Sequence, residues 1–400
     1  MSSAFEAKIE RAIEDGTIAG VVVLAKDKTG KLNYAKALGH ASLDPAGTKP
    51  MQLDTVFTLA SMTKLLTAVA VLQLVDRGLI TLDTDITPHL PTLAALPILT
   101  GFDASNAPIL TPRTTPLLVR HLLTHSSGCS YPFMQPLLDT WAKQQPPPPQ
   151  NPTSGPTVDS LFGYPLVFEP GTSWIYGSGL DWAGKLVEVL SGTDLDTYLA
   201  THILAPLNLP ASSITFYPER HTLTTSRLAS FTTRDPETNR VTHHAAPLAL
   251  AITTPTRSAF GGQGASADLN AYIAVLHSLL VDDGKLLSAA TAQALFTPLL
   301  REPEAKAALR KAMETPEWVV GVVPDTGEYD WSPGGLLVDG DRHEYRRRGC
   351  LLWGGAFNLS WFIDREAGVC GVFGTQIAQP ADPLVRPLME AFEDAVYARL

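Results

Sequence analysis

The chain has 400 residues, of which 45% are hydrophobic, so it can form one large or two moderate domains with an extensive core. Its formal net charge is -10 and its one basic cluster is the triplet at residues 346–348, which argues against a nucleic-acid-binding protein. No run approaches the roughly 18 apolar residues of a membrane span, and residues 1–16 resemble an amphipathic helix without the apolar centre of a signal peptide. We therefore expect a soluble cytoplasmic protein that binds neither membranes nor nucleic acids.

The cysteines and histidines form no recognisable metal or disulfide pattern. Cys129, Cys350 and Cys370 are odd in number, lie far apart and have apolar neighbours, which is typical of buried thiols. The ten histidines lack the spacing of metal ligands. We expect no metal site and no cofactor.

Taken in chain order, the first predicted elements are a helix and a hairpin. The helix covers residues 5–14, and the hairpin consists of strands 21–25 and 32–37 around a turn at 28–30. An extended run at 56–60 then leads into an apolar helix that starts at Ser61 and ends near residue 78.

After a region from about 86 to 210 that is helical or rich in proline, the strand pattern returns near the C-terminus. We predict strands at 344–353, which includes the basic triplet, at 357–364 and at 369–375, with turns at 354–355 and 366–368 and a last helix from about residue 383. Strands at both ends predict an α+β fold: one antiparallel sheet flanked by N- and C-terminal helices, with a mostly helical domain inserted. The expected domains are a sandwich domain made of residues 1–85 and 211–400 and a helical insertion at 86–210.

The segment 144–156, QQPPPPQNPTSGP, cannot be a regular helix or a central strand because of its prolines. We expect an exposed loop. A passive connection is the favoured interpretation, and a lid over a binding site is the alternative.

Ser61-Met62-Thr63-Lys64 is the first candidate for chemistry, at the junction between the extended run and the apolar helix. Residues three positions apart share one helix face, so the Lys64 amine should lie beside the Ser61 hydroxyl. A serine needs a positioned base to act as a nucleophile, and a buried helix start favours the neutral amine that such a base requires. The alternative is a helix cap with a lysine that reaches solvent.

Two further segments supply complementary groups. Glu169 to Gly179 is rich in turn residues and delivers Tyr176 just before a new helix, where a phenol hydroxyl can relay a proton to a leaving group. In the segment LLWGGAF, Gly354 and Gly355 end a strand and allow a substrate to approach backbone N–H groups that can stabilise an oxyanion. The alternatives are a half-buried aromatic residue and a tight hairpin turn.

These three segments, in this order, resemble the motifs of the penicillin-recognising serine hydrolases, the group of class C β-lactamases, D-Ala-D-Ala peptidases and related esterases. The likeness is strongest to fungal acyltransferases that place a short branched acyl group on a polyketide alcohol in statin biosynthesis, and to the esterases that remove it. It extends over nearly the whole chain, through segments such as RHLLTHSSGCSY and EPGTSWIYGSGLDWAGKLVE. The resemblance implies a β-lactamase/transpeptidase-like fold.

Two departures from the lactamase motifs bear on the substrate. Trp353 occupies the position of a lysine or histidine that faces a substrate carboxylate in lactamases, and Ser178 replaces an asparagine. Both changes favour neutral, apolar esters or thioesters over β-lactams.

The resemblance implies an acyl-enzyme mechanism in which Lys64 accepts the proton of Ser61, Tyr176 relays a proton, and the N–H groups of Ser61 and Ala356 hold the oxyanion. The predicted activity is that of a serine esterase or acyltransferase that hydrolyses or transfers a short acyl group. The partner is a small-molecule ester or an acyl thioester, and a donor carried by an acyl carrier protein is an open alternative. A β-lactamase-like hydrolase and a catalytically silent binding protein of the same fold are the competing hypotheses.

For substrate contacts we select Trp353, Gly354, Gly355 and Tyr131, which flank the motifs. His125 is less favoured as a base, since in this family it belongs to a structural turn. The terminal residues 398–400, ARL, resemble a peroxisomal targeting tripeptide, although the end of an amphipathic helix is the favoured interpretation.

Overall fold

The computed structural model of the protein describes residues 3–146, 156–245, 258–314 and 318–400. Residues 147–155 of the proline-rich segment therefore lie outside the described residues, and the lid hypothesis stays untested. Among the described helices, none is both long enough and apolar enough to cross a membrane.

The strands, in chain order, have the following bounds: β1 Gly20–Asp27, β2 Asn33–Ser42, β3 Lys49–Pro50, β4 Val56–Thr58, β5 Ile98–Phe102, β6 Pro108–Thr111, β7 Ile214–Thr215, β8 Thr232–Arg234, β9 Val241–His243, β10 Ser266–Asp268, β11 Tyr329–Ser332, β12 Gly335–Val338, β13 Leu351–Gly355, β14 Leu359–Asp364 and β15 Val369–Gly374.

The α-helices are α1 Ser3–Glu14, α2 Thr63–Asp76, α3 Pro91–Ala94, α4 Val119–Leu123, α5 Pro136–Lys143, α6 Val158–Phe162, α7 Gly179–Ser191, α8 Leu195–Leu199, α9 Thr222–Ser226, α10 Leu269–Val281, α11 Ala289–Leu295, α12 Pro303–Met313 and α13 Arg386–Tyr397. Single turns of 3₁₀ helix occur at Ala60–Met62, Pro132–Met134, Ala205–Leu207 and Pro218–Arg220.

An eight-stranded antiparallel sheet joins the two ends of the chain, in the order β11-β12-β13-β14-β15-β1-β2-β3. Helices cover both of its faces. Side-chain directions alternate along a strand, so Cβ atoms added at Gly374 and Gly371 of β15 would project to opposite faces. The one at Gly374 would meet Leu269 of α10, and the one at Gly371 would approach Phe392 of α13. The predicted α+β fold with its antiparallel sheet is confirmed.

The other strands form a three-stranded sheet, β4-β10-β7, and two hairpins, β5-β6 and β8-β9. The described part of the segment 86–210 contributes one of these hairpins and several helices, and it supplies no strand of the large sheet. The domain boundaries at residues 85 and 210 stay a prediction.

The helix α2 is the hydrophobic centre of the molecule. It is apolar nearly all round, and its residues from Thr63 to Leu74 are buried, as expected for a helix without a polar face. It packs against α7 and α11. The catalytic candidates at its N-terminus are therefore anchored in the most tightly enclosed part of the fold.

The prediction that the basic triplet lies in a strand is wrong, because β13 starts only at Leu351 and residues 341–349 are irregular. Arg346 is fully buried and forms a bidentate ion pair with Glu393 of α13, at 2.6 to 3.0 Å, and it also donates to the Val322 carbonyl. A buried guanidinium needs such partners, and they lie off the sheet, so the chain leaves the strand direction to reach them.

The turn between β13 and β14 also differs from the expectation. Gly354 and Gly355 belong to β13, and the turn consists of residues 356–358, with Asn358 in the left-handed region at φ 66°. Asparagine tolerates this conformation better than most residues, so it can take the place of a turn glycine.

Candidate active site

The short segment between β4 and α2 carries Ser61. Residues 60–62 form one 3₁₀ turn, and Ala60 has a φ of 46°, a conformation that side chains rarely adopt. The hydroxyl of Tyr272, on α10, donates to the Met62 carbonyl at 2.9 Å from within the core. This hydrogen bond holds the turn from its core side, and the Ser61 side chain on the same turn is only half-buried.

Lys64 lies in the first turn of α2 and is 4% exposed. Its amine is 3.3 Å from the Ser61 hydroxyl and donates to the Gly262 carbonyl at 2.7 Å. The structure therefore places the two polar atoms of the S-x-x-K segment side by side, as the helical spacing predicts.

Tyr176 reaches the same point from the loop that precedes α7. The Lys64 amine is 4.6 Å from the centre of the Tyr176 ring. The neighbouring Gly177 is required by close packing, since a Cβ there would lie 2.0 Å from the Cys129 carbonyl oxygen. The loop therefore packs closely against the segment 124–135, and this packing fixes the position of Tyr176 beside Lys64.

His125 supports this loop from inside. It is 1% exposed, its ring lies 4.4 Å from the Tyr176 ring, and its Nδ1 accepts the Gly177 N–H at 3.2 Å. Burial, and then the charge of Lys64, hold its pKa well below the usual value, so the ring is neutral. This arrangement agrees with a structural turn rather than a catalytic base.

The third predicted segment, at the end of β13, brings Trp353 to the tyrosine. The Trp353 indole N–H donates to the Tyr176 hydroxyl at 3.0 Å, and the ring packs edge-on against Trp331 at 4.8 Å. Trp318 lies 5.6 Å from Tyr176 and adds to the same wall. Three neutral indole rings thus pack around the Tyr176 phenol.

The two glycines of β13 let the strand approach other backbone very closely. A Cβ on Gly355 would lie 2.2 Å from the Leu59 carbonyl oxygen, and one on Gly354 would lie 2.5 Å from the Val320 carbonyl oxygen. The chain's own backbone therefore occupies the side of each glycine where a side chain would project. This contact brings the strand end, and Ala356 after it, next to the turn that carries Ser61.

Tyr131 completes the cleft on the side of the helical segment. Its ring lies 5.9 Å from Tyr176 and stacks on Phe133 at 5.3 Å, and Phe133 is 78% exposed. The rings of Phe133, Tyr131 and Tyr176 therefore form a continuous series of contacts from the surface to the tyrosine. Ser178, by contrast, is completely buried at the start of α7 and does not face the cleft.

Sequence reasoning missed one residue, Asp181 in the first turn of α7. It is completely buried, accepts the Gly262 N–H at 2.9 Å and lies 3.4 Å from the Tyr131 hydroxyl. Burial raises its pKa to about 6 against the opposing effect of Lys64 and of these hydrogen bonds. An aspartate in an apolar helical segment, GLDWAG, was the signal that could have identified it.

Among the described residues, no group of three or more His, Cys, Asp or Glu side chains is arranged to hold a metal ion. The polar atoms that meet in the cleft are a hydroxyl, an amine and a phenol. Together they can form and break an ester at the serine, with the amine as base and the phenol as proton carrier.

Known proteins show the same organisation. Residues 5–393 match the model of the β-lactamase family. A lovastatin esterase from Penicillium rubens is 38% identical over 405 aligned residues, which cover 100% of this chain and 98% of that protein. A monacolin J acid methylbutanoyltransferase from Aspergillus terreus is 36% identical over 98% of this chain and 95% of that protein. The LovD9 mutant of simvastatin synthase from Aspergillus terreus superimposes with a TM-score of 0.89 at 36% identity, covering 99% of this chain and 98% of that one.

Proposed function

Because this chain belongs to the β-lactamase family, we propose that it is a serine esterase or acyltransferase that carries a short acyl group on Ser61. The observation that carries the proposal is the contact between the buried Lys64 amine and the Ser61 hydroxyl, at 3.3 Å, in a cleft whose wall is a neutral indole. This contact supports Lys64 as the base and Ser61 as the nucleophile, and the neutral ring of Trp353 supports a substrate without a carboxylate at that position.

In the first half of the reaction, the Ser61 oxygen attacks the acyl carbonyl carbon while its proton passes to the Lys64 amine. The N–H groups of Ser61 and Ala356 stabilise the oxyanion, and each such donor typically contributes about 3 kcal/mol. The tetrahedral intermediate then breaks its bond to the leaving oxygen or sulfur, which receives a proton through Tyr176. The product is an ester of Ser61.

The second half repeats these steps with a new nucleophile. Water or an alcohol gives its proton to the Lys64 and Tyr176 pair, attacks the acyl carbon and releases the Ser61 oxygen, which takes back a proton. Water yields the free acid, and an alcohol yields a new ester. Their ratio depends on how well a bound alcohol excludes water from the cleft.

The substrate class follows from the cleft wall and from the relatives. Trp353 and Tyr131 offer aromatic surface, which suits an apolar acyl group and a bulky neutral alcohol, and Gly354 and Gly355 are the other proposed contacts. The relatives are named for a lovastatin ester and for methylbutanoyl transfer to monacolin J acid. We propose a short, branched acyl group and a polyketide-type alcohol.

The donor for acyl transfer is an ester or an acyl thioester, and an acyl carrier protein is a proposed source of the thioester. The reaction needs no cofactor in this scheme. Residues 398–400 are exposed after α13. Peroxisomal import through them stays a prediction, which fluorescent fusions with and without these residues would test.

Acyl-enzyme formation gives the direct test. The protein is incubated with p-nitrophenyl butyrate, and its intact mass is measured by mass spectrometry, with the variant Ser61→Ala as the control. We expect one added butyryl mass on the parent protein, located at Ser61, and none on the variant. A parent protein with neither adduct nor turnover would reject the enzyme and leave the silent binding protein. Turnover of nitrocefin at a rate comparable to the ester would instead support the lactamase hypothesis.

A partition experiment separates the two enzyme activities. One butyryl thioester is supplied with and without a saturating polyketide alcohol, and ester and free acid are quantified. Predominant ester supports the acyltransferase. Predominant free acid at saturating alcohol rejects transfer and leaves the esterase.

A further inference from the structure

A carboxylate without an assigned role lies directly behind the Ser61–Lys64 pair. Asp181 is in the first turn of α7 and is completely buried, where the loop 259–264 passes between α2 and α7. A buried carboxylate is costly unless it has partners, so its neighbours indicate what it does.

Gly262 connects this carboxylate to the amine. Its N–H donates to Asp181 Oδ1 at 2.9 Å, and its carbonyl accepts from Lys64 Nζ at 2.7 Å. There is no room for a side chain at the connection, because a Cβ on Gly262 would lie 2.4 Å from Asp181 Oδ2. Asp181 thus fixes the position of a backbone carbonyl that the Lys64 amine contacts.

The same loop is held on the other side by α2. Thr67 Oγ1 donates to the Gly261 carbonyl at 2.7 Å, and a Cβ on Gly261 would lie 2.7 Å from the Leu180 carbonyl oxygen. The loop therefore cannot shift without disturbing both helices. Tyr131 provides a second connection between Asp181 and Lys64. Its hydroxyl is 3.4 Å from Asp181 Oδ2, and its ring centre is 5.7 Å from the Lys64 amine.

We propose that Asp181 is the positioning residue for Lys64: it holds the Gly262 carbonyl against the amine, and its negative charge stabilises the ammonium that forms when Ser61 transfers its proton. This inference rests on the proposed function. Asp181 touches neither substrate nor the reacting atoms, so it acts only through Gly262 and through its charge. In a water-poor interior such a charge has a stronger effect than it would in solvent.

The titratable groups that face Asp181 come from three segments. They are Lys64 of α2, Cys129 and Tyr131 of the segment 124–135, and Tyr164 after α6. Burial raises the pKa of Cys129 to about 12 and the pKa values of Tyr131 and Tyr164 well above the usual value, so none of these three ionises near neutral pH. Burial raises the pKa of Asp181 itself to about 6. Acylation should therefore slow as the pH falls through about 6, where the carboxylate is neutralised.

The test is the rate of acyl-enzyme formation from p-nitrophenyl butyrate, measured as the burst of p-nitrophenol between pH 4.5 and 8.5. The variant Asp181→Asn keeps the shape and the acceptor for the Gly262 N–H but has no charge. We expect its acylation rate at pH 7.5 to fall about tenfold or more, within the range of general base catalysis, and the step near pH 6 to disappear.

The matched control is Asp364→Asn. Asp364 is also a buried carboxylate, and it accepts hydrogen bonds from two backbone N–H groups and a tyrosine hydroxyl. It is the last residue of β14, whereas Gly355 pairs with the first residue of that strand. We expect a rate within about twofold of the parent protein, since no contact links it to the base.

Several results would overturn the inference. The first is an acylation rate in Asp181→Asn equal to that of the parent protein. The second is an equal loss of acylation rate in Asp181→Asn and Asp364→Asn. The third is a lower acylation rate in Asp181→Asn that still falls near pH 6, which would indicate a purely structural role. A parent protein that forms no acyl-enzyme would reject the proposed function and this inference with it, whereas a parent protein that acylates normally isolates the role of Asp181.

If Asp181→Asn does not fold, Tyr131→Phe decides. The Tyr131 hydroxyl lowers the pKa of Asp181 by hydrogen bonding, so its removal should move the midpoint of the acid limb to higher pH, whatever happens to the absolute rate. An unmoved midpoint would overturn the inference.

Discussion

The indole nitrogen of Trp353 lies 3.0 Å from the hydroxyl oxygen of Tyr176 and donates a hydrogen bond to it, although the two residues are 177 positions apart in the chain. The bond uses one acceptor site of the phenol oxygen and leaves the phenol O–H free to turn toward the cleft. Trp353 therefore orients the tyrosine and packs a neutral ring against it.

We predict that Trp353→Phe lowers kcat/KM for p-nitrophenyl butyrate about tenfold, because it keeps an aromatic ring but removes one hydrogen bond worth about 1 kcal/mol or slightly more. The control is Trp361→Phe, which truncates the directly opposite residue on β14, also buried, whose indole makes no bond to Tyr176. Equal losses in the two variants would show that packing, and not the hydrogen bond, is responsible.

Gly355→Ala should reduce kcat by about 100-fold or more while KM changes little. The added Cβ would lie 2.2 Å from the Leu59 carbonyl oxygen, so the strand end must move away from the turn that carries Ser61, and the proposed oxyanion donors separate. Steady-state kinetics on a p-nitrophenyl ester measure this. Gly47→Ala is the control, since nothing lies within 4 Å of its Cβ position. Near-parental kcat in Gly355→Ala would contradict the placement of the oxyanion site.

Asp181→Asn should gain stability relative to the parent protein as the pH rises toward neutral. The pKa of Asp181 is about 6 in the folded protein and 3.8 as the reference value, so the folded state binds this proton more tightly, and the free energy of unfolding of the parent protein falls as the pH rises from about 4 to about 6. Asparagine does not titrate. Relative to its value at pH 4, the stability difference should therefore shift in favour of the variant by on the order of 3 kcal/mol across that window and stay constant above it.

Urea denaturation of both proteins at pH 4, 5, 6 and 7 measures this difference. A difference that does not change with pH would contradict the prediction. Together with the expected loss of acylation, a gain in stability would show that a buried charge is retained for function at a cost to the fold.

Removal of one partner of the Arg346–Glu393 pair should be strongly destabilising. Both side chains are buried, so Glu393→Ala leaves the Arg346 guanidinium uncompensated, and we expect a loss of about 3–5 kcal/mol in the free energy of unfolding. The double variant Arg346→Met with Glu393→Leu should lose clearly less. Arg348→Met is the control, because that arginine is exposed and its ion pairs should contribute less than about 1 kcal/mol. If the double variant is no more stable than the single one, the uncompensated charge is not the cause.

The sequence predicted those features that depend on local spacing. The hairpin at the N-terminus, the buried helix and the contact between Ser61 and Lys64 all follow from periodicity over a few residues, and each is present in the structure. The prediction failed at the arginine triplet, because a run of charges does not reveal which of them is buried. Arg346 is buried only because Glu393 reaches it from another element.

The glycines of the third segment show the same limit in another form. Gly354 and Gly355 were expected to end a strand at a turn, since glycine commonly occurs there. They are the last two residues of β13 and so do end a strand, but the turn begins only at Ala356, and the backbone of Val320 and Leu59 occupies the space that their side chains would need. No pattern in the neighbouring sequence identifies those partners.

By itself, the sequence determined which reactive groups could meet: a serine and a lysine on one helix face and a tyrosine on a turn-rich loop. These are properties of residue type and short spacing, whereas the replacement of a cation by Trp353 is implied by the resemblance to the lactamase motifs. Only the tertiary structure decided how the groups act on one another, through the Trp353 bond to Tyr176 and the path from Asp181 through Gly262 to Lys64. The physical reason is that a hydrogen bond or a buried charge depends on distances between elements far apart in the chain, and these are set by the packing of the whole core.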